Sequence, residues 1–134
     1  MNRSKWILFA GIGLVAALLY NLLSNPSDAQ FETRFEVVTS YRNPNNTGPI
    51  KRIYLVTASQ SDHAEMQAYG DLKPHSKYGT TTVYFFPEGA SLPSSISSAT
   101  FSLSSELASQ CLARYRKLAM GDERYEKGPL DPAQ

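Results

Sequence analysis

Two short stretches, Ile50–Ala58 (IKRIYLVTA) and Thr80–Phe86 (TTTVYFF), frame a helical segment between them. In the first, Ile53, Tyr54, Leu55 and Val56 place apolar groups on both faces, the pattern of a central strand. The second is β-branched and aromatic and ends against Pro87, a strand stop. Between them, Asp62 and Glu65 stand at capping-box spacing, so a short helix should start there, with Glu65 reaching back and Gly70 ending it. A strand–helix–strand unit of this kind crosses over right-handed and leaves its two strands parallel.

Upstream, Phe31, Thr33, Phe35, Val37, Thr39 and Tyr41 alternate with Glu32, Arg34, Glu36, Val38 and Ser40, which predicts a strand with one wet face. The turn formers of Arg42–Pro49, RNPNNTGP, reverse the chain, so this strand should join Ile50–Ala58 as a hairpin. Downstream, Asp71–Gly79 and the serine-rich stretch Glu88–Ser98 read as loops. Ala99–Leu103 suits a fourth strand by its alternation and a helix start by its four-residue spacing.

From Ser104 to Met120 a helix is expected. At about 100° per residue, Leu107, Cys111, Tyr115 and Leu118 fall on one stripe, and Gly121 is a natural stop. Asp122–Gln134 is polar, contains Gly128, Pro129 and Pro132, and reads as a flexible tail. The expectation is therefore an α+β domain over residues 31–121, a small mixed sheet of three or four strands with two packed helices.

The first thirty residues have a different character. Arg3 and Lys5 precede Trp6–Leu23, WILFAGIGLVAALLYNLL, which carries no charge. About 18 apolar residues at 1.5 Å rise approach the thickness of a hydrocarbon core. The preceding cations hold that end in the cytoplasm, so the remainder is expected on the exported side. Residues 24–30 form a linker in which Pro26 ends the helix. Small Ser27 and Ala29 would permit cleavage after Ala29, although the apolar run exceeds an ordinary signal core. The two expectations are a single-pass membrane anchor or a secreted or periplasmic product.

The chain of 134 residues is long enough for one modest core. From Gln30 onward, acidic and basic residues balance, which argues against nucleic acid as a partner. A single cysteine excludes an internal disulfide and a multi-cysteine zinc site. Cys111, in the apolar stripe, reads as a buried small hydrophobe rather than a nucleophile. His63 and His75 have no recognised ligand spacing, no G-x-S-x-G elbow or glycine-rich phosphate loop is present, and no acid pair suits glycoside cleavage. Neither a metal nor a cofactor is expected. Asn45-Asn46-Thr47 forms a glycosylation sequon, relevant in a eukaryotic host.

Two surfaces invite binding. The loop Tyr69–Tyr78, YGDLKPHSKY, sets Lys73, His75 and Lys77 between Tyr69 and Tyr78, a mixture suited to an acidic polymer, a lipid headgroup or a partner's carboxylates. If both helices lie on one side of the sheet, Tyr54, Val56, Tyr84 and Phe86 stay partly uncovered and form a partner surface; the alternative is that the tail or a helix covers them. These features suit a non-enzymatic cell-envelope module that works through a protein partner. The alternatives are an envelope-polymer enzyme with a histidine general base and a domain binding a small anionic ligand.

Overall fold

The computed structural model describes residues 34–44, 48–59 and 62–132. The basic N-terminus, the apolar segment 6–23, the linker 24–30 and the sequon 45–47 lie outside the described residues. Among those described, no helix is long and apolar enough to cross a membrane.

The domain is α+β. In chain order the elements are β1 (Phe35–Arg42), β2 (Lys51–Ala58), helix α1 (His63–Asp71), β3 (Thr80–Pro87), helix α2 (Ser105–Gln110), β4 (Ala113–Lys117), a 3-10 turn (Ala119–Gly121) and β5 (Glu123–Lys127). The five strands form one mixed sheet in the order β1-β2-β3-β4-β5. The β2–β3 pair is parallel, with Ile53 opposite Thr82 and Leu55 opposite Tyr84. The other pairs are antiparallel, beginning with the expected β1–β2 hairpin.

The central unit forms for the reasons its residues supply. Asp62 caps α1 by accepting a hydrogen bond from the Glu65 amide at 2.8 Å. Glu65 pairs with Arg34 across the surface. Gly70 does not end the helix, which runs on to Asp71. It is buried, and a Cβ there would stand 2.6 Å from the ring of Tyr115. The glycine is a site of close helix–sheet approach.

Each face of the sheet carries its own core. On one side α1 covers Phe35, Val56, Val83, Phe85, Ala113 and Tyr115 with Met66 and Tyr69. On the other, residues of the 88–104 segment, notably Ile96, Phe101 and Leu103, pack with Leu107 of α2 over Ile53, Leu55, Tyr84 and Phe86. The helices therefore do not share a side, and the irregular segment takes the place of a missing helix. Thr39 Oγ1 donates to Pro93 O at 2.6 Å and ties that segment to β1.

Four expectations are corrected. The long helix over Ser104–Met120 ends at Gln110, and Ala113–Lys117 is instead a strand on the free edge of β3. Alternation of Ala113 and Tyr115 against Arg114 and Arg116 competes with the helical spacing of Leu107, Cys111 and Tyr115, and pairing with β3 decides between them. The flexible tail contains β5, which pairs with β4 from Ala113–Lys127 to Lys117–Glu123. The sheet thus has five strands, not three or four. Ala99–Leu103 is neither strand nor helix. Finally, β1 does not keep one apolar face: a bulge between Val37 and Thr39 shifts the register. Phe35 joins the α1-side core while Tyr41 packs on the opposite one.

Candidate functional site

The residues nominated from the sequence are dispersed. Tyr69 is a core side chain stacked on Phe35, with ring centroids 4.5 Å apart. Lys73 Nζ lies 4.3 Å from the Tyr69 ring centroid and 5.5 Å from that of Tyr54. Lys77 forms a third cation–ring pair, with exposed Tyr78. His75 is turned inward, its Nδ1 3.5 Å from Thr81 Oγ1, which donates to Pro74 O. Burial, then the charges of Lys117 and Arg52, hold the His75 imidazole below its ordinary pKa and favour the neutral ring. The two lysines therefore make separate cation–ring contacts, Lys73 with Tyr69 and Tyr54 and Lys77 with Tyr78, rather than one converging site.

Nor do Tyr54, Val56, Tyr84 and Phe86 make one exposed patch. Val56, Tyr84 and Phe86 are buried, and Tyr54 and Val56 lie on the opposite face from Tyr84 and Phe86. The face that would be bare if both helices shared a side is covered by residues 88–104 and α2, with Leu130 also packed there, so the alternative of covering by a helix or the tail describes it better.

His63 and Cys111 both line a surface pocket of about 320 Å³ with Met66 and Pro129. His63 Nδ1 sits 2.6 Å from the Tyr125 hydroxyl. Burial, with smaller contributions from Asp62 and Cys111, pushes Tyr125 up to about 12, so the phenol keeps its proton at neutral pH. Cys111 lies immediately after α2 rather than mid-helix, and its Sγ donates to Ala113 O. Burial raises its thiol to about 11, which leaves it protonated and unreactive. Asp62 caps the helix, and among the described residues no carboxylate lines this pocket to orient His63 as a general base.

The more organised constellation was not nominated from the sequence. Lys51 and Ile53 of β2, Thr80, Thr82 and Tyr84 of β3, and Arg114 and Arg116 of β4 share a face, and with Phe101 and Leu118 they line an open pocket of about 260 Å³. It lies where the 88–104 segment stops covering the sheet. A second pocket of about 110 Å³ shares Tyr84, Phe101 and Arg114, so Arg114 stands between the two.

The strand register builds the charge cluster. Pairing of β4 with β5 sets Arg114 opposite Glu126 and Arg116 opposite Arg124. Arg114 Nη2 donates to Glu126 Oε2 and Arg116 Nη2 to Glu126 Oε1, each at 2.5 Å. Two guanidinium groups thus share one carboxylate, and among the described residues Lys51 forms no ion pair. The pocket is locally cationic in a domain whose overall charge is balanced.

Arg114 is the unusual member, because its side chain is only 9% exposed. Burial alone would pull its pKa down, but the hydrogen bond and charge of Glu126, with Tyr84, hold it above the ordinary value. Burial would conversely raise Glu126, and the hydrogen bonds and charges of Arg114 and then Arg116 hold it below its ordinary range. Among the described residues, the Nε atoms of both arginines are buried without a hydrogen-bond partner. Each guanidinium has five N–H donors, so this pair offers far more donors than Glu126 accepts.

The chain matches no family model, no curated protein and no solved structure among those compared. Its site is therefore read from its own geometry. One signal in the sequence pointed to it: ARYRK and ERYEK flank a five-residue connection ending in Gly121-Asp122, two alternating segments that bring Arg114 to Glu126 when folded back on each other.

Proposed function

We propose that this chain is a non-enzymatic binding module that receives an acidic group of a protein partner in the Arg114–Arg116 pocket, and that residues 6–23 tether it to a membrane with the domain on the exported side. One observation carries the binding reading: two arginines, one nearly buried, share a single carboxylate beside an open pocket that also holds Lys51. A partly buried ion cluster, with Arg114 9% and Glu126 32% exposed, is a weak way to stabilise a fold, since well-packed apolar residues would serve as well or better. Its placement beside a pocket supports a role in recognition. Tyr84, Phe101 and Ile53 supply apolar surface for the group that carries the acid. The uncharged run Trp6–Leu23 after Arg3 and Lys5 supports the tether.

The test is affinity recovery of partners from membranes with the intact chain, compared with Lys51→Glu/Arg116→Glu. The charge-reversed pair should lose the partner recovered by the unmodified chain, while Lys73→Glu/Lys77→Glu and His63→Gln/His75→Gln should retain it. Retention by Lys51→Glu/Arg116→Glu, with its fold intact by circular dichroism, would reject the pocket as the binding surface.

A further inference from the structure

Resting on that binding reading, we infer that the pocket is a carboxylate site, specific for a carboxylate carried on a compact apolar group rather than for a phosphate or a bare anion. Glu126 already shows what the arginine pair accepts. Its two oxygens are taken one by each guanidinium at 2.5 Å, so the spacing of Arg114 and Arg116 matches the bite of a planar carboxylate. Arg116, with its side chain 30% exposed, and Lys51 remain within reach of a ligand in the pocket. Thr80 and Thr82 add hydroxyl donors on the same wall.

The rest of the lining sets what the carboxylate is attached to. Ile53, Tyr84, Phe101 and Leu118 form apolar surface beside the cations, and Phe101 meets Tyr84 edge-on at 6.3 Å. A space of about 260 Å³ suits one aromatic or branched aliphatic group with its acid. A chain-terminal apolar residue, whose side chain and α-carboxylate leave the same carbon, has this chemistry; so does a free aryl or alkyl acid. Glu126 then acts as an internal competitor, because its charge already satisfies part of the arginine pair. Neutralising it should favour the ligand.

The test is calorimetric titration of the full chain in non-ionic detergent with 3-phenylpropionate, 3-phenylpropionamide and inorganic phosphate. The acid should bind, and the amide should bind roughly tenfold or more weakly, as the loss of charge-assisted hydrogen bonds requires. Arg116→Gln and Lys51→Gln should each weaken the acid several-fold, and Glu126→Gln should strengthen it. Equal binding of acid and amide, preference for phosphate, or indifference to both cation substitutions would overturn the assignment. If Arg116→Gln does not fold, the exposed Lys51→Gln change decides the matter alone: weaker acid binding supports the site and unchanged binding rejects it. A peptide ending in Phe, with free or amidated terminus, separates the sources: discrimination between its two forms assigns a partner's chain end, and binding of the small acid alone assigns a free acid. Failure of every acid while Lys51→Glu/Arg116→Glu still loses its protein partner would remove the carboxylate assignment and leave the binding module standing.

Discussion

At the scale of single residues, Glu126 joins two guanidinium groups through one carboxylate. Removing it as Glu126→Ala leaves Arg114 and Arg116 facing each other with their one shared acceptor gone. This should destabilise the domain by about 1–3 kcal/mol in urea unfolding, the cost of an uncompensated, partly buried charge. Glu126→Gln should cost less, because the amide oxygen still accepts. Acid should act on the same groups. The carboxyls of Glu126 and Asp71 lie below their ordinary values of 4.5 and 3.8 in the folded chain. Their contribution is fully present above those values and is lost as pH falls through the depressed ones. His75, depressed below 6.5, adds to the slope in the same direction, since the unfolded chain takes up its proton first. Unfolding midpoints should therefore fall as pH drops below about 6.5 and fall more steeply below 4.5. Glu126→Gln should flatten the lower part of that curve, and an unchanged slope would contradict the assignment.

Among the elements, α1 and the β4–β5 hairpin make opposite demands on the backbone. Helix α1 approaches the sheet so closely at Gly70 that a methyl group meets the Tyr115 ring. Gly70→Ala should cost about 1–3 kcal/mol through overpacking, measured by thermal or urea unfolding. The hairpin turn instead holds Met120 at φ 67°, with the residue 70% exposed and its amide donating to Lys77 O at 2.7 Å. A left-handed residue without a Cβ is relieved of that strain, so Met120→Gly should stabilise by up to about 1 kcal/mol. Removal of everything after Gly121 should do far more harm than loss of a tail. It deletes β5, strips Glu126 from both arginines and exposes the β4 edge. The truncated chain should fail to show cooperative unfolding, and a truncated chain with native stability would refute the role given to β5.

For the whole molecule, the proposed tether predicts that the intact chain partitions into membranes and resists alkaline carbonate extraction, while a chain starting at Gln30 is recovered in soluble form. The domain itself was partly legible in advance. Two-sided apolar strands, the Asp62 cap and the turn-rich 42–49 stretch are local signals, and they specified β2, α1, β3 and the hairpin partner β1. The covering of the second face was not legible, because residues 88–98 carry no clear period and Ala99–Leu103 fits two, and the segment packs Ile96 and, in part, Phe101 over the sheet as irregular structure. The site was scarcely legible for a related reason, the paired ARYRK and ERYEK segments being its one local signal. Arg114 and Arg116 sit in a stretch whose apolar spacing fits a helix as well as a strand, and Glu126 lies in one that is polar apart from Tyr125. Local patterning determined where the chain extends, turns and starts its first helix, since those choices depend on neighbours within a few residues. Only tertiary structure decided that the free edge of β3 takes β4, that β4 takes β5, and that two arginines and a glutamate meet, because hydrogen-bonding a sheet edge and neutralising a buried charge are satisfied only by residues distant in sequence.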